Sequence, residues 1–189
     1  MKNIIVAITG ASGAVFGKRI LEILKEQKDV CSHLIVSNAA YITVKQELDI
    51  DISELNALAD VVYPYKDISA CISSGSFRTD GMIIAPCSIK TMSEIATCNT
   101  NNLISRSADV ILKERKKLLI CIRETPLHGL HLENLKKLAD IGAIIFPPVP
   151  AFYIKPKSLD ELIDHTVGRM LDHFDIESKL VKRWQGLKS

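Results

Sequence analysis

The sequence is short of aromatic residues and of charge of one sign. Aromatics make up 5% of 189 residues, too few for a base-stacking platform, and a formal net charge of +2 leaves no basic footprint for nucleic acid. The five cysteines, at 31, 71, 87, 98 and 121, contain no CxxC pair. An odd count without paired spacing reads as free thiols in a reducing cytoplasm, not as a disulfide frame or a zinc site. No run approaches the ~18 apolar residues that a spanning helix needs. The apolar run at residues 4–8 is too short for a signal peptide, and the uncharged stretch 141–154 is interrupted by prolines.

Several catalytic signatures are missing too. Counted from Gly10, the dinucleotide fingerprint requires glycine in third place, where this chain has Ser12. Gly17-Lys18 is followed by Arg19, so no Walker A loop forms. No G-x-S-x-G elbow occurs. His128 and His131 lie three apart without a third ligand in view, so no metal is expected.

What is present is an alternation of short β-rich apolar runs with helical periodicity. The strand candidates are 3–9, 33–36, 60–63, 81–85, 118–122 and 143–146. Most are continuous apolar runs, which suits strands buried on both faces of a parallel sheet. Helices are expected at 14–26, 38–48, 89–97, 102–116, 131–141 and 158–174. This order predicts an α/β fold: one flavodoxin-like or Rossmann-like three-layer sandwich over 1–189. The Ser-rich stretch 64–80 reads equally as a mobile loop near a site or as a surface connection. The tail, 175–189, carries Lys179, Lys182, Arg183 and Lys188 around Trp184. It is expected either to fray or to dock near a site or a neighbouring subunit.

Ligands of open α/β sheets sit beyond the carboxyl ends of the strands. The candidates there are Gly10-Ala11-Ser12-Gly13, Ser37, the segment from Pro86 to Thr91, Arg123-Glu124, and the segment from Pro147 to Tyr153. Small residues allow a tight turn and close backbone approach to a ligand at a helix N-terminus. Ser88 suits an N-cap beside Lys90 and Thr91, a pocket for a phosphate or a polar ring edge; Ser37 suits an N-cap too. Ser37 also stands where nicotinamide enzymes tend to have Asp or Glu, which disfavours a dehydrogenase. Arg106 and Lys113, seven apart on one helix face, with Arg123 and Arg169, form a set suited to a dianionic phosphate; Lys113 reads also as part of a solvated helix end, and Arg169 equally as a site or a surface residue. Glu47 ends the second helix, a position that usually faces solvent.

Eight strings, TGASGA (9–14), SSGSFRTDGM (73–82), PCSIKT (86–91), SRSADVILKER (105–115), RETPLH (123–128), HLENL (131–135), PPVPAFY (147–153) and RWQGL (183–187), run in order over nearly the whole chain. With them the sequence resembles the UbiX-like flavin prenyltransferases. The resemblance implies joining of a dimethylallyl group from dimethylallyl monophosphate to N5 and C6 of reduced FMN. The product, prenylated FMN, would serve a UbiD-type decarboxylase. It further implies a homo-oligomer, commonly a dodecamer, with sites between subunits, and no metal. Carried over by position, FMN contacts fall on Gly10, Ala11, Ser12, Ser37, Ser88, Ile89, Lys90, Thr91 and Arg123. The allylic phosphate falls to Arg106, Lys113, Arg123, Glu124, Tyr153 and Arg169. Ser12 and Glu47 match the pair beside the reacting flavin edge, with Glu47 as base or relay. Glu124 is placed to pass a proton to the phosphate, and Trp184 matches an aromatic near the prenyl group. The 64–80 loop has no Trp, where some members carry one, and Phe77 is expected to substitute.

Two other readings share this fold expectation. A non-catalytic FMN carrier or accessory subunit of a decarboxylase would have no need of Glu47, Tyr153 and Arg169 as a set. An FMN-dependent cysteine decarboxylase would need a catalytic His well before the 86–91 loop, and none lies between His33 and His128.

Overall fold

The computed structural model describes residues 1–186; Leu187, Lys188 and Ser189, and with them the ends of the expected tail and of the 183–187 string, lie outside the described residues. Six strands form one parallel sheet: β1 (Lys2–Ile8), β2 (Val30–Val36), β3 (Val61–Tyr63), β4 (Gly81–Cys87), β5 (Lys117–Ile122) and β6 (Ile144–Ile145). Their spatial order is β3-β2-β1-β4-β5-β6, and every pairing is parallel. The chain direction across the sheet therefore reverses between β1 and β4, and a crevice opens there at the carboxyl edge.

Helices α1 (Ala14–Glu26), α2 (Asn38–Leu48), α3 (Ile52–Asn56), α4 (Ile89–Ala96), α5 (Leu103–Lys113), α6 (Gly129–Asp140) and α7 (Leu159–Asp172) complete the three layers. Strand alternation divides the core. Ile4, Val6 and Ile8 of β1 face one side with α1 and α7, and Ile5 and Ala7 face the other with α4, α5 and α6. All five are fully buried, as expected for a central strand covered on both faces. Side-chain caps fix the starts of α2, α4, α5 and α7, where Ser37, Ser88, Asn102 and Ser158 accept from backbone N–H groups.

Boundaries depart from expectation in a few places. The α5 helix stops at Lys113, ahead of 116, and Arg115 follows with a φ of 53°. The α3 helix was not anticipated; its five residues are held by a capping box from Asp51 to Glu54. Segment 64–80 is anchored to α5: Leu103 N–H donates to Tyr65 O at 2.9 Å and Arg106 Nε to Ser73 O at 3.2 Å. Phe77 of this segment lies against the sheet. It packs edge-on to buried His33, with centroids 5.5 Å apart.

Candidate active site

The crevice between β1 and β4 is set by one hydroxyl. Thr9 Oγ1 donates to Pro86 O at 2.8 Å and accepts from Ser88 N–H at 2.8 Å, tying the ends of the two strands together. Gly10 follows. A Cβ there would lie 2.5 Å from Ala39 Cβ, so only glycine lets this loop rest on the start of α2. Gly17 plays a similar part below, since a Cβ would meet Ala85 O at 2.5 Å. Gly13 takes a φ of 105°, turning the chain into α1.

A cavity of about 400 Å³ opens on this edge, lined by Gly10, Ser37, Asn38, Ala39, Tyr65, Ser88, Lys90 and Thr91. The N-termini of α2 and α4 both border it, a setting that favours anionic or hydrogen-bonding groups. Thr91 is buried, and its hydroxyl receives the Ser88 Oγ proton at 3.2 Å. Lys90 is exposed, 3.5 Å from Glu94, whose carboxylate is held by Asn102 at 3.1 Å. A small-residue floor, a polar rim and two helix N-termini fit a flavin mononucleotide: room for a ring edge and donors for a phosphate.

Beside the cavity, Glu47 Oε2 accepts from the N–H groups of Gly13 at 2.8 Å and Ala14 at 3.0 Å. Burial pushes its carboxyl pKa up. Hydrogen bonds from the Ser12 hydroxyl and the two backbone N–H groups, with the nearby charge of Arg123, outweigh this and hold it below the ordinary range. Glu47 is thus an ionised carboxylate bound to the start of α1, and not an idle helix end. Arg123 closes the group by anchoring its N–H to Cys87 O at 3.3 Å. Glu124 next to it is exposed, and accepts from Thr125 N–H at 3.0 Å.

A second cavity, of about 210 Å³, lies between the loop after β6 and α7 and includes Phe146, Tyr153, His165, Thr166 and Arg169. Trp184 of the tail meets Tyr153 edge to face at 5.8 Å. Asp172 secures the tail: it takes a bidentate pair from Arg183, at 2.6 and 2.7 Å, and also bonds Arg169 at 3.0 Å. These cations, Arg183 first, hold the Asp172 carboxyl below its usual range.

Two of the expected phosphate ligands stand apart. Arg106 pairs with Asp109 at 2.9 Å, and Lys113 pairs with Glu114 at 2.6 Å at the far end of α5. Lys113 lines a separate cleft with Asp140 and Gly142. Neither residue borders the two cavities above within this subunit. A further cavity, of about 320 Å³ between α1 and α7, is lined by Lys18, Arg19, Glu22 and Asp164, which are taken up in ion pairs with one another.

Sequence reasoning missed Thr9, Tyr65, His165 and Asp172. The last two form a stripe with Arg169 at i, i+4 and i+7 of α7, a spacing visible in the sequence. Thr9 and Tyr65 carried no comparable signal, since both act through contacts distant in sequence. The described residues hold no cluster of potential metal ligands and no helix long and apolar enough to cross a membrane.

Residues 1–185 match the flavoprotein family. Over 188 residues the chain is 53% identical to the flavin prenyltransferase UbiX of Escherichia coli K12, spanning 98% of this chain and all of that one. The chain belongs to the UbiX-like flavin prenyltransferase family. Solved members superpose closely. One, AnUbiX (PadA1) in complex with FMN and dimethylallyl pyrophosphate, has a TM-score of 0.96 at 49% identity and covers 99% of each chain. Another, a dodecameric FMN-dependent UbiX-like decarboxylase from Escherichia coli O157:H7, has a TM-score of 0.95 at 44% identity, covering 97% of this chain and all of the other.

Proposed function

We propose that this protein is a metal-independent flavin prenyltransferase, joining the dimethylallyl group of dimethylallyl phosphate to N5 and C6 of reduced FMN. The observation that carries this is the full-length identity with flavin prenyltransferases, in a chain whose strand-end cavity suits a flavin mononucleotide. Gly10, Ala11, Ser12, Ser37, the run from Ser88 through Ile89 and Lys90 to Thr91, and Arg123 hold FMN. Reduced FMN supplies the two nucleophilic ring positions.

The remaining residues act on the other reactant. The allylic C–O bond breaks, the phosphate departs with the electron pair, and the freed allylic carbon bonds to N5, which gives up its proton; a proton added to the remaining double bond then lets its tertiary carbon bond to C6, which loses its own proton. Arg123, Tyr153 and Arg169 stabilise the leaving charge without a metal. The aromatic face of Trp184 steadies cation character on the allyl group by an interaction of ~0.5–2 kcal/mol. Glu47 receives the C6 proton, for which it must start ionised, as its hydrogen bonds ensure. Glu124 hands a proton to the departing phosphate. Arg106 and Lys113 complete the phosphate site from a neighbouring subunit of a homododecamer. The dodecameric relative and the separation of these two cations from Tyr153 and Arg169 support this. A UbiD-type decarboxylase consumes the product, and free thiols suit a cytoplasmic setting.

The test is anaerobic incubation with reduced FMN and dimethylallyl monophosphate, with the pyrophosphate in parallel, and mass spectrometry of the extracted flavin. A flavin heavier by one five-carbon isoprenyl unit is expected. Unchanged FMN that stays bound under both donors would favour the carrier reading instead.

A further inference from the structure

One buried group in the second cavity has no place in the scheme above. His165 is 4% exposed, and its ring stands edge-on to Tyr153, with centroids 5.8 Å apart. Its Nε2 lies 3.3 Å from Tyr153 Oη, while its Nδ1 is buried with no protein partner. The same cavity is lined by Arg169, four residues on along α7.

We infer that His165 is a positioning residue: its Nε2–H donates to Tyr153 Oη and turns the tyrosine's own proton outward, toward an allylic phosphate beside Arg169. The inference rests on the prenyltransferase reading only for the identity of that phosphate.

The tautomer follows from the two ring nitrogens. With the proton on Nδ1, a buried N–H would have no acceptor, the rarer and costlier defect. With the proton on Nε2, the donor is satisfied and only a lone pair is left bare. Tyr153 Oη then accepts from His165, so its O–H must find its acceptor elsewhere. In the cavity beside Arg169, that acceptor is an anionic oxygen. The imidazole stays neutral in this arrangement. Burial and the Arg169 charge lower its pKa, as do Lys182 and Arg183 from the tail, and Asp172 opposes them only in part. A neutral imidazole can fix one orientation of the tyrosine hydroxyl without adding a competing charge.

The inference is tested by labelling histidine with ¹⁵N and reading two-bond ¹H–¹⁵N correlations of the wild-type protein at neutral pH. The His165 signal among the five histidines is identified by its loss in His165→Gln. The Nε2–H tautomer is expected; the Nδ1–H tautomer overturns the assignment whether or not the protein is active. In the transferase assay, His165→Phe should raise KM for dimethylallyl phosphate roughly 2- to 10-fold, the worth of one neutral hydrogen bond. Its kcat and FMN affinity should stay within about twofold, and His165→Gln, whose amide can donate, should recover most of the loss. In a Tyr153→Phe background His165→Phe should add nothing. A KM penalty that persists in that background, or one accompanied by lost FMN affinity, overturns the positioning role. If His165→Phe does not fold, the tautomer and His165→Gln still decide. Wild-type protein that makes no prenylated flavin would sink the transferase reading alone, because the tautomer is read independently.

Discussion

The Glu47 carboxylate, near the end of α2, accepts from the Gly13 N–H at the start of α1, 2.8 Å away. Thirty-four residues separate the two, and the contact does two things. It supplies an anion to the positive end of α1, which has no side-chain cap of its own. It also keeps a carboxylate ionised at the β1–α1 loop, whose Gly10 lines the flavin cavity.

Glu47→Gln should therefore lower turnover by about 10²–10⁴, the usual contribution of a positioned base, while FMN remains bound. Product formation by mass spectrometry and flavin fluorescence titration separate the two effects. Flavin affinity falling along with turnover would count against the catalytic role.

The same contact gives a pH dependence of stability. The Glu47 pKa is depressed in the folded protein, so its contribution is present above the ordinary glutamate value. It is lost as pH falls through the folded value. The wild type should thus exceed Glu47→Gln by about 0.3–1 kcal/mol at neutral pH, with the gap closing under acid conditions. Urea melts of both proteins between neutral pH and strongly acidic pH check this. A constant gap would mean that Glu47 acts through packing.

Two glycines make a matched pair of tests. A methyl at Gly10 meets Ala39, and a methyl at Gly17 meets Ala85 O and Ile8. Both Ala variants should lose about 1–3 kcal/mol of stability, the usual effect of overpacking. Only Gly10→Ala should also weaken FMN binding, because only Gly10 lines the cavity. Thermal melts with and without FMN distinguish them.

These contacts show where the sequence is legible. The strand runs stand out because β1, β4 and β5 are buried on both faces, so burial overrides alternation. The two-residue β6 and the five-residue α3 are too short to establish a period. Ser37 and Ser88 are readable as caps because capping is local. Glu47 looked like a solvent-facing helix end because its partners lie across the β1–α1 loop. Arg106 and Lys113 do share a helix, as their spacing indicates. The sequence does not say that each closes a local ion pair, away from Tyr153 and Arg169.

Asp172 holds the tail through Arg183, and the tail carries the chain's single tryptophan. Asp172→Asn removes the charge that pairs with Arg183 and Arg169. Trp184 should then leave Tyr153, giving lower fluorescence anisotropy and faster proteolysis after Lys182. KM for the prenyl donor should rise while FMN affinity holds. Unchanged anisotropy would show that aromatic packing alone keeps the tail in place.

The last prediction concerns who completes the phosphate site. Arg106 bonds Ser73 O and Asp109, and Lys113 sits at the opposite end of α5 from Leu103. If each site draws these cations from a neighbour, Arg106→Ala and Arg169→Ala are both inactive alone but carry complementary defects. Unfolding and refolding the two together at equal amounts makes mixed oligomers. A site is then whole when one subunit supplies Arg169 and its neighbour supplies Arg106. With random assembly about one site in four qualifies, so roughly a quarter of wild-type activity should return. If both residues served the same subunit's site, every subunit would carry one defect, and mixing would restore nothing. Recovery that needs refolding, and not simple combination of intact oligomers, would place the shared site at the subunit interface.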